Sequence, residues 1–226
     1  MDRHPSDPDA ASPPRRLLET GRGSRPGSYG STEWLLLASV ALIWGSSYLF
    51  IDIGLEALQP GVIAVARVAL GVAALALVPA ARRPIGREDR PRVAFLAVLC
   101  YGLALNLAVP LQQRHGALPV LLRAQLAALV LLLPFGLWGL AGSRFAWGPV
   151  LAMVPLGVLG TGVAFVLMTI LVGRVGGPRG AVATYFIPVV AIVLGVLLLG
   201  ERVAPAAVAG TALVVAGAWL TSRPDS

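Results

Sequence analysis

The chain has 226 residues, of which 57% are hydrophobic and 13% charged, with a formal net charge of +7. A soluble domain carries about a quarter charged residues. This composition, with a mean hydropathy of +0.79, therefore excludes an ordinary water-solvated fold and points to a core solvated by lipid. The positive charge does not indicate nucleic acid, because the 18 basic residues, all arginine, lie mostly in the amino-terminal tail and at the ends of apolar runs.

Residues 1–33 are rich in Pro, Ser, Gly, Arg and Asp and show no apolar period, which predicts a disordered, solvated tail. The tail lacks the charged-then-apolar order of a signal peptide, and Asp2, Asp7, Asp9 and Glu19 argue against a transit peptide. The mature protein is expected to keep it. Seven apolar runs follow, near 34–54, 61–81, 93–111, 117–140, 147–172, 181–199 and 204–221. A bilayer core about 30 Å thick takes roughly 20 residues of helix. The runs are continuous rather than alternating, so helices are expected and a barrel is not. The predicted fold class is all-α: a polytopic membrane helix bundle of about seven transmembrane helices.

Between the second and third runs lie Arg82, Arg83, Arg87, Arg90 and Arg92, a cluster that the positive-inside rule holds in the cytoplasm. Trp34, Trp138, Trp147 and Trp219 fall near run ends, as interfacial belt residues do, whereas Trp44 is mid-run. Pro188, inside the sixth run, removes a backbone hydrogen bond and predicts a kink. Cys100 is the one cysteine and lies inside the third run as a small core residue. Neither His4 nor His115 has a Cys, Asp or Glu at ligand spacing, so no metal site is expected. The sequence contains no GxSxG, HExxH, Walker loop or GxGxxG after a strand, and the spans contain no carboxylate pair. No catalytic residue and no cofactor are predicted.

Two stretches repeat one order of residues. Trp44-Gly45, Arg67 and Pro79 are followed at offsets of 57, 56 and 55 by Tyr101-Gly102, Arg123 and Pro134. Duplicated helix sets are a common way of building transporters.

With these residues in view, the chain resembles the EamA type of the drug/metabolite transporter superfamily. IWGSSYLF resembles that family's first helix. The segment from Gly157-Val158-Leu159-Gly160-Thr161 through Thr184-Tyr185-Phe186-Ile187-Pro188 to Gly200-Glu201 resembles the end of its second repeat. The resemblance covers about residues 35–221 and implies two five-helix repeats of opposite orientation. Here 34–81 would supply a partial first repeat of two helices and 93–221 a complete second repeat of five, a chain shortened by about three helices. With seven crossings and a cytoplasmic amino terminus, the carboxyl terminus is expected outside. Setting aside the 82–92 loop, that arrangement leaves the second half two arginines on the cytoplasmic side, Arg144 and Arg202, and four opposite, Arg114, Arg174, Arg179 and Arg223. The second half would satisfy the positive-inside rule only if flipped.

Polar residues within spans are costly in lipid and usually face a cavity or another helix. Arg67 and Arg123 are the most costly, and each has two readings: attraction of an anionic solute, or snorkelling to the interface. Asp52 and Glu56, near a helix end, read as interfacial. The candidate substrate-binding set is Trp44, Ser47, Arg67, Asn106, Arg123, Gln125, Thr184 and Tyr185. The resemblance implies a multi-pass protein of the bacterial inner (plasma) membrane that exports small organic metabolites or drugs by alternating access. Its solute cavity would lie between the two repeat portions. The partners implied are the lipid bilayer, a small-molecule solute and a second copy as homodimer, with no nucleic acid. The alternative reading is a non-transporting remnant or an assembly subunit of a membrane complex.

Overall fold

The first helix, α1 (Ser31–Leu55), starts three residues before its apolar run, because Glu33 reaches back and accepts a hydrogen bond from the Gly30 amide at 3.1 Å. A computed structural model describes residues 30–97 and 110–221. Helix α2 (Pro60–Ala76) opens on a proline, whose missing N–H costs nothing in the first turn. It ends earlier than the predicted 81, since Pro79 bars helical continuation and begins a short 3-10 turn, Pro79–Arg82. Arg82 closes α2 by donating from Nε to the carbonyl of Ala76. Helix α3 (Arg90–Phe95) is one and a half turns long. The greater part of the third run, with Cys100, Tyr101 and Asn106, lies outside the described residues.

Four longer helices complete the bundle: α4 (Ala117–Leu140), α5 (Trp147–Val175), α6 (Val182–Leu199) and α7 (Pro205–Thr221). With α1, helices α4, α5 and α6 are long and apolar enough to cross a membrane. The described residues contain no strand, so the all-α polytopic bundle stands. Two joints depend on glycine. Gly176 ends α5 at φ +87° and Gly200 ends α6 at φ +66°, conformations a side chain would strain. The expected kink in α6 is a break at Phe186, with Pro188 in the first turn of the segment that follows.

Helices α1 and α5 run antiparallel. Leu37 and Val40 pack on Met168, Leu171 and Val172 at one end, while Phe50, Ile51 and Ile53 meet Met153 and Leu156 towards the other. Helices α2 and α4 pair in the same sense, with Leu75 on Leu118 and Leu122. At the opposite end of that pair, Gly61 lies against the Phe135 carbonyl and Gly136 against Val65, where a Cβ would collide with the neighbour.

These contacts correct the crossing pattern. Asp89 meets His115 at 2.6 Å and Arg114 at 3.9 Å, so the chain enters and leaves the 93–111 run at one end of the bundle. A single crossing would separate those flanks by roughly 30 Å. Arg174 pairs with Glu33 at 2.9 Å, which places the end of α5 beside the start of α1. At the other end, Gln59 donates its amide to Ser143 Oγ at 2.9 Å and Arg144 donates its amide to the Ala57 carbonyl at 2.8 Å. Arg114 and Arg174 therefore share the end of the 82–92 cluster, and Arg144 lies opposite. Each of the three is on the other side from the one expected with seven crossings. With the 82–92 cluster taken as cytoplasmic, Arg114 and Arg174 fall on its side and Arg144 falls opposite, the placement that the positive-inside rule favours for these three residues.

Candidate functional site

Midway along α5 the helix widens into a π-helical segment, Val158–Val163, of sequence VLGTGV. Pro155, three residues earlier, withholds one backbone donor, and Gly157, Gly160 and Gly162 leave room for neighbouring helices. Such π-bulges are frequent at functional sites. Two helices reach into this one. Trp44 on α1 donates Nε1–H to the Gly160 carbonyl at 2.9 Å, and Arg67 on α2 donates Nε–H to Thr161 Oγ1 at 3.2 Å. Close approach is required here: a Cβ on Gly160 would stand 2.7 Å from Ser47 Oγ, and one on Gly71 2.7 Å from Thr161 Cγ2.

Beside this junction is a cavity of about 400 Å³, lined by Trp44, Ser47, Tyr48, Ile51, Arg67, Phe165, Thr184 and Ile187. Pockets for small organic ligands run from about 300 to 1,000 Å³. Its walls come from α1 and α2 on one side and from α5 and α6 on the other. Trp44 and Phe165 meet edge to face, ring centres 5.3 Å apart. Ser47 gives its hydroxyl proton to the Ile43 carbonyl at 2.9 Å, and Thr184 gives its own to the Ala181 carbonyl at 2.7 Å. Both hydroxyl oxygens keep acceptor capacity.

Arg67 is the one charged side chain in this lining. It sits about 10 Å of helical rise from the start of α2 and binds Thr161 instead of reaching the interface. Among the described residues no carboxylate pairs with it. Its terminal nitrogens can therefore take up an anionic oxygen beside the apolar and aromatic walls of the cavity.

Of the predicted set, Asn106 lies outside the described residues; the structure brings Trp44, Ser47, Arg67 and Thr184 together and leaves Arg123, Gln125 and Tyr185 apart. Arg123 donates to the Pro119 carbonyl of its own helix at 3.1 Å, Gln125 is buried in α4, and Tyr185 is 40% exposed outside the cavity lining. The proposed kinship of Arg67 and Arg123 does not extend to their surroundings, and Pro134 lies inside a helix whereas Pro79 opens a turn. The candidate set omits Tyr48, although the sequence also offers its ring and hydroxyl as cavity-lining groups, and it omits Ile51, Phe165, Ile187 and Thr161. Tyr48 carried a signal, an aromatic with a polar tip one turn from Trp44; the aliphatic residues carried none. His115, which has no acid at ligand spacing in sequence, meets Asp89, 26 positions away, at 2.6 Å in space.

A second cavity of about 390 Å³ lies between α1 and α6, sharing Tyr48 and Ile51 with the first and reaching Asp52 and Glu201 at the Arg144 end of the bundle.

The fold and the cavity define a multi-pass helical membrane protein with an open cleft of solute size between its helices. Residues 92–223 match the EamA-like transporter family, and the chain belongs to that family. It is 34% identical over 134 residues to a protein described as a probable terminal-alkyne amino-acid exporter, from Streptantibioticus cattleyicolor. The match covers 58% of this chain and 44% of that relative, so the chain spans less than half of the relative's length. No solved structure matches it.

Proposed function

We propose that this protein exports small organic solutes bearing a carboxylate, amino acids among them, across the bacterial plasma membrane by alternating access. The observation that carries this reading is the placement of Arg67, the one charged group of a 400 Å³ cavity otherwise walled by Trp44, Phe165, Ile51 and Ile187. A carboxylate would take two parallel hydrogen bonds from the guanidinium, Thr184 and Ser47 would accept from an ammonium group, and an apolar side chain would lie on the aromatic wall. The named relative supports an amino-acid cargo. The shared wall of Tyr48 and Ile51 would be the gate between this cavity and the one that reaches Asp52 and Glu201.

The test is flux of radiolabelled amino acids, their amides and simple organic cations in liposomes holding the purified full chain. Flux of carboxylate solutes is expected, with Arg67→Gln weakening them about ten- to a hundredfold relative to the amides. Flux no greater than in empty liposomes, from protein shown to be folded, would replace this reading with that of a subunit requiring a partner.

A further inference from the structure

At the end of the bundle that holds Glu33 and Arg174, two segments distant in sequence build one basic surface. Asp89 is at its centre, 1% exposed. One carboxylate oxygen accepts from Arg92 at 2.9 Å, and the other meets His115 Nε2 at 2.6 Å with Arg114 at 3.9 Å. The His115 hydrogen bond foremost, then Arg92 and the charge of Arg114, hold the Asp89 carboxyl below its usual range against the opposing effect of burial.

The buried anion positions the arginines but leaves them in solvent: the Arg92 and Arg114 side chains are 59% and 64% exposed. Arg83, Arg87 and Arg90 are exposed on the same loop, and among the described residues no carboxylate pairs with them. Six arginines, at 82, 83, 87, 90, 92 and 114, thus face only two acids within the segments that carry them, Glu88 and Asp89. Next to them a recess of about 80 Å³, lined in part by Arg83, His115 and Pro119, is too small for a solute but admits part of a headgroup.

We propose that this Asp89-centred surface is a binding site for the phosphate headgroups of anionic phospholipids. It lies where the apolar helix α2 ends and α4 begins, at the level of the headgroups. The cytoplasmic leaflet is the anionic one, and guanidinium groups bind phosphate oxygens in pairs. A surface that served only to orient the chain during insertion would not need a buried carboxylate to hold Arg92 and Arg114 in place. The site is separate from the solute cavity and does not depend on what that cavity carries.

Native mass spectrometry of the full chain in detergent, titrated with phosphatidylglycerol or phosphatidylcholine, tests this. Phosphatidylglycerol is expected to be retained in preference, and millimolar inorganic phosphate is not expected to displace it. The triple substitution Arg83→Gln, Arg87→Gln, Arg90→Gln should weaken retention roughly fivefold per arginine removed, while Arg144→Gln with Arg202→Gln, at the opposite end, should leave it unchanged. If the triple variant does not fold, Arg87→Gln and Arg90→Gln taken singly are each expected to give the fivefold step. Equal retention by the parent and the loop variants, or displacement by inorganic phosphate, would overturn the proposal.

Discussion

Replacing Glu33 and Arg174 by glutamine, singly and together, measures the contact that ties the start of α1 to the end of α5. Their atoms are 2.9 Å apart, and the side chains are 19% and 22% exposed. At an effective dielectric of about 20, unit charges at that distance attract by roughly 6 kcal/mol. Desolvation of two half-buried ions and the fixing of two long side chains offset most of that. A net coupling of about 1–2 kcal/mol should remain, above the ~0.2–1 kcal/mol of fully exposed pairs. A double-mutant cycle on reversible unfolding in mixed micelles reads it directly, since glutamine at position 33 keeps an acceptor for the Gly30 amide while losing the charge. In a Cys100→Ala background, Glu33→Cys with Arg174→Cys should also join through a short bismaleimide. A coupling under about 0.3 kcal/mol together with failure to cross-link would refute the shared end of α1 and α5, and with it the corrected crossing pattern.

Cysteines placed at Ser28 and Gln113 in the Cys100→Ala background should both be protected from an impermeant thiol reagent in intact cells, and one at Ala141 should be labelled; labelling of Gln113→Cys but not Ala141→Cys would restore the seven-crossing arrangement. Gly71→Leu should destabilise the protein by about 1–3 kcal/mol or more, because its Cβ alone would stand 2.7 Å from Thr161 Cγ2, whereas Gly148→Ala, with nothing within 4 Å, should be near neutral in the same melting assay. The depressed pKa of Asp89 stabilises the folded state fully above its unfolded value of about 4. That contribution is lost as pH falls through the lower folded value, so Asp89→Asn should flatten the acid limb of a stability profile, and an unchanged limb would count against the hub.

The sequence by itself determined that the chain lives in lipid, is all-helical and belongs to its family, because these follow from run length, composition and local motifs. The bounds of α4 were legible to the residue, and those of α6 and α7 within one, from flanking Gly and Pro. The polar residues of α1 and the arginine of α2 were legible as cavity candidates, since lipid makes each costly unless it has a partner. Composition could not decide which of them meet. Trp44, Ser47, Arg67 and Thr184 converge because α5 widens at its π-segment and admits α1 and α2, while Arg123 satisfies itself on its own helix. Nor could counting apolar runs decide sidedness, because a long run shows that a segment can enter lipid and not that it leaves on the far side. The charge pattern did contain the contradiction, as four arginines stranded on the wrong face. Only the tertiary contacts of Asp89 with His115 and of Glu33 with Arg174 resolved it for Arg114 and Arg174, because those pairings require their helix ends to lie within a few ångströms of each other at one end of the bundle.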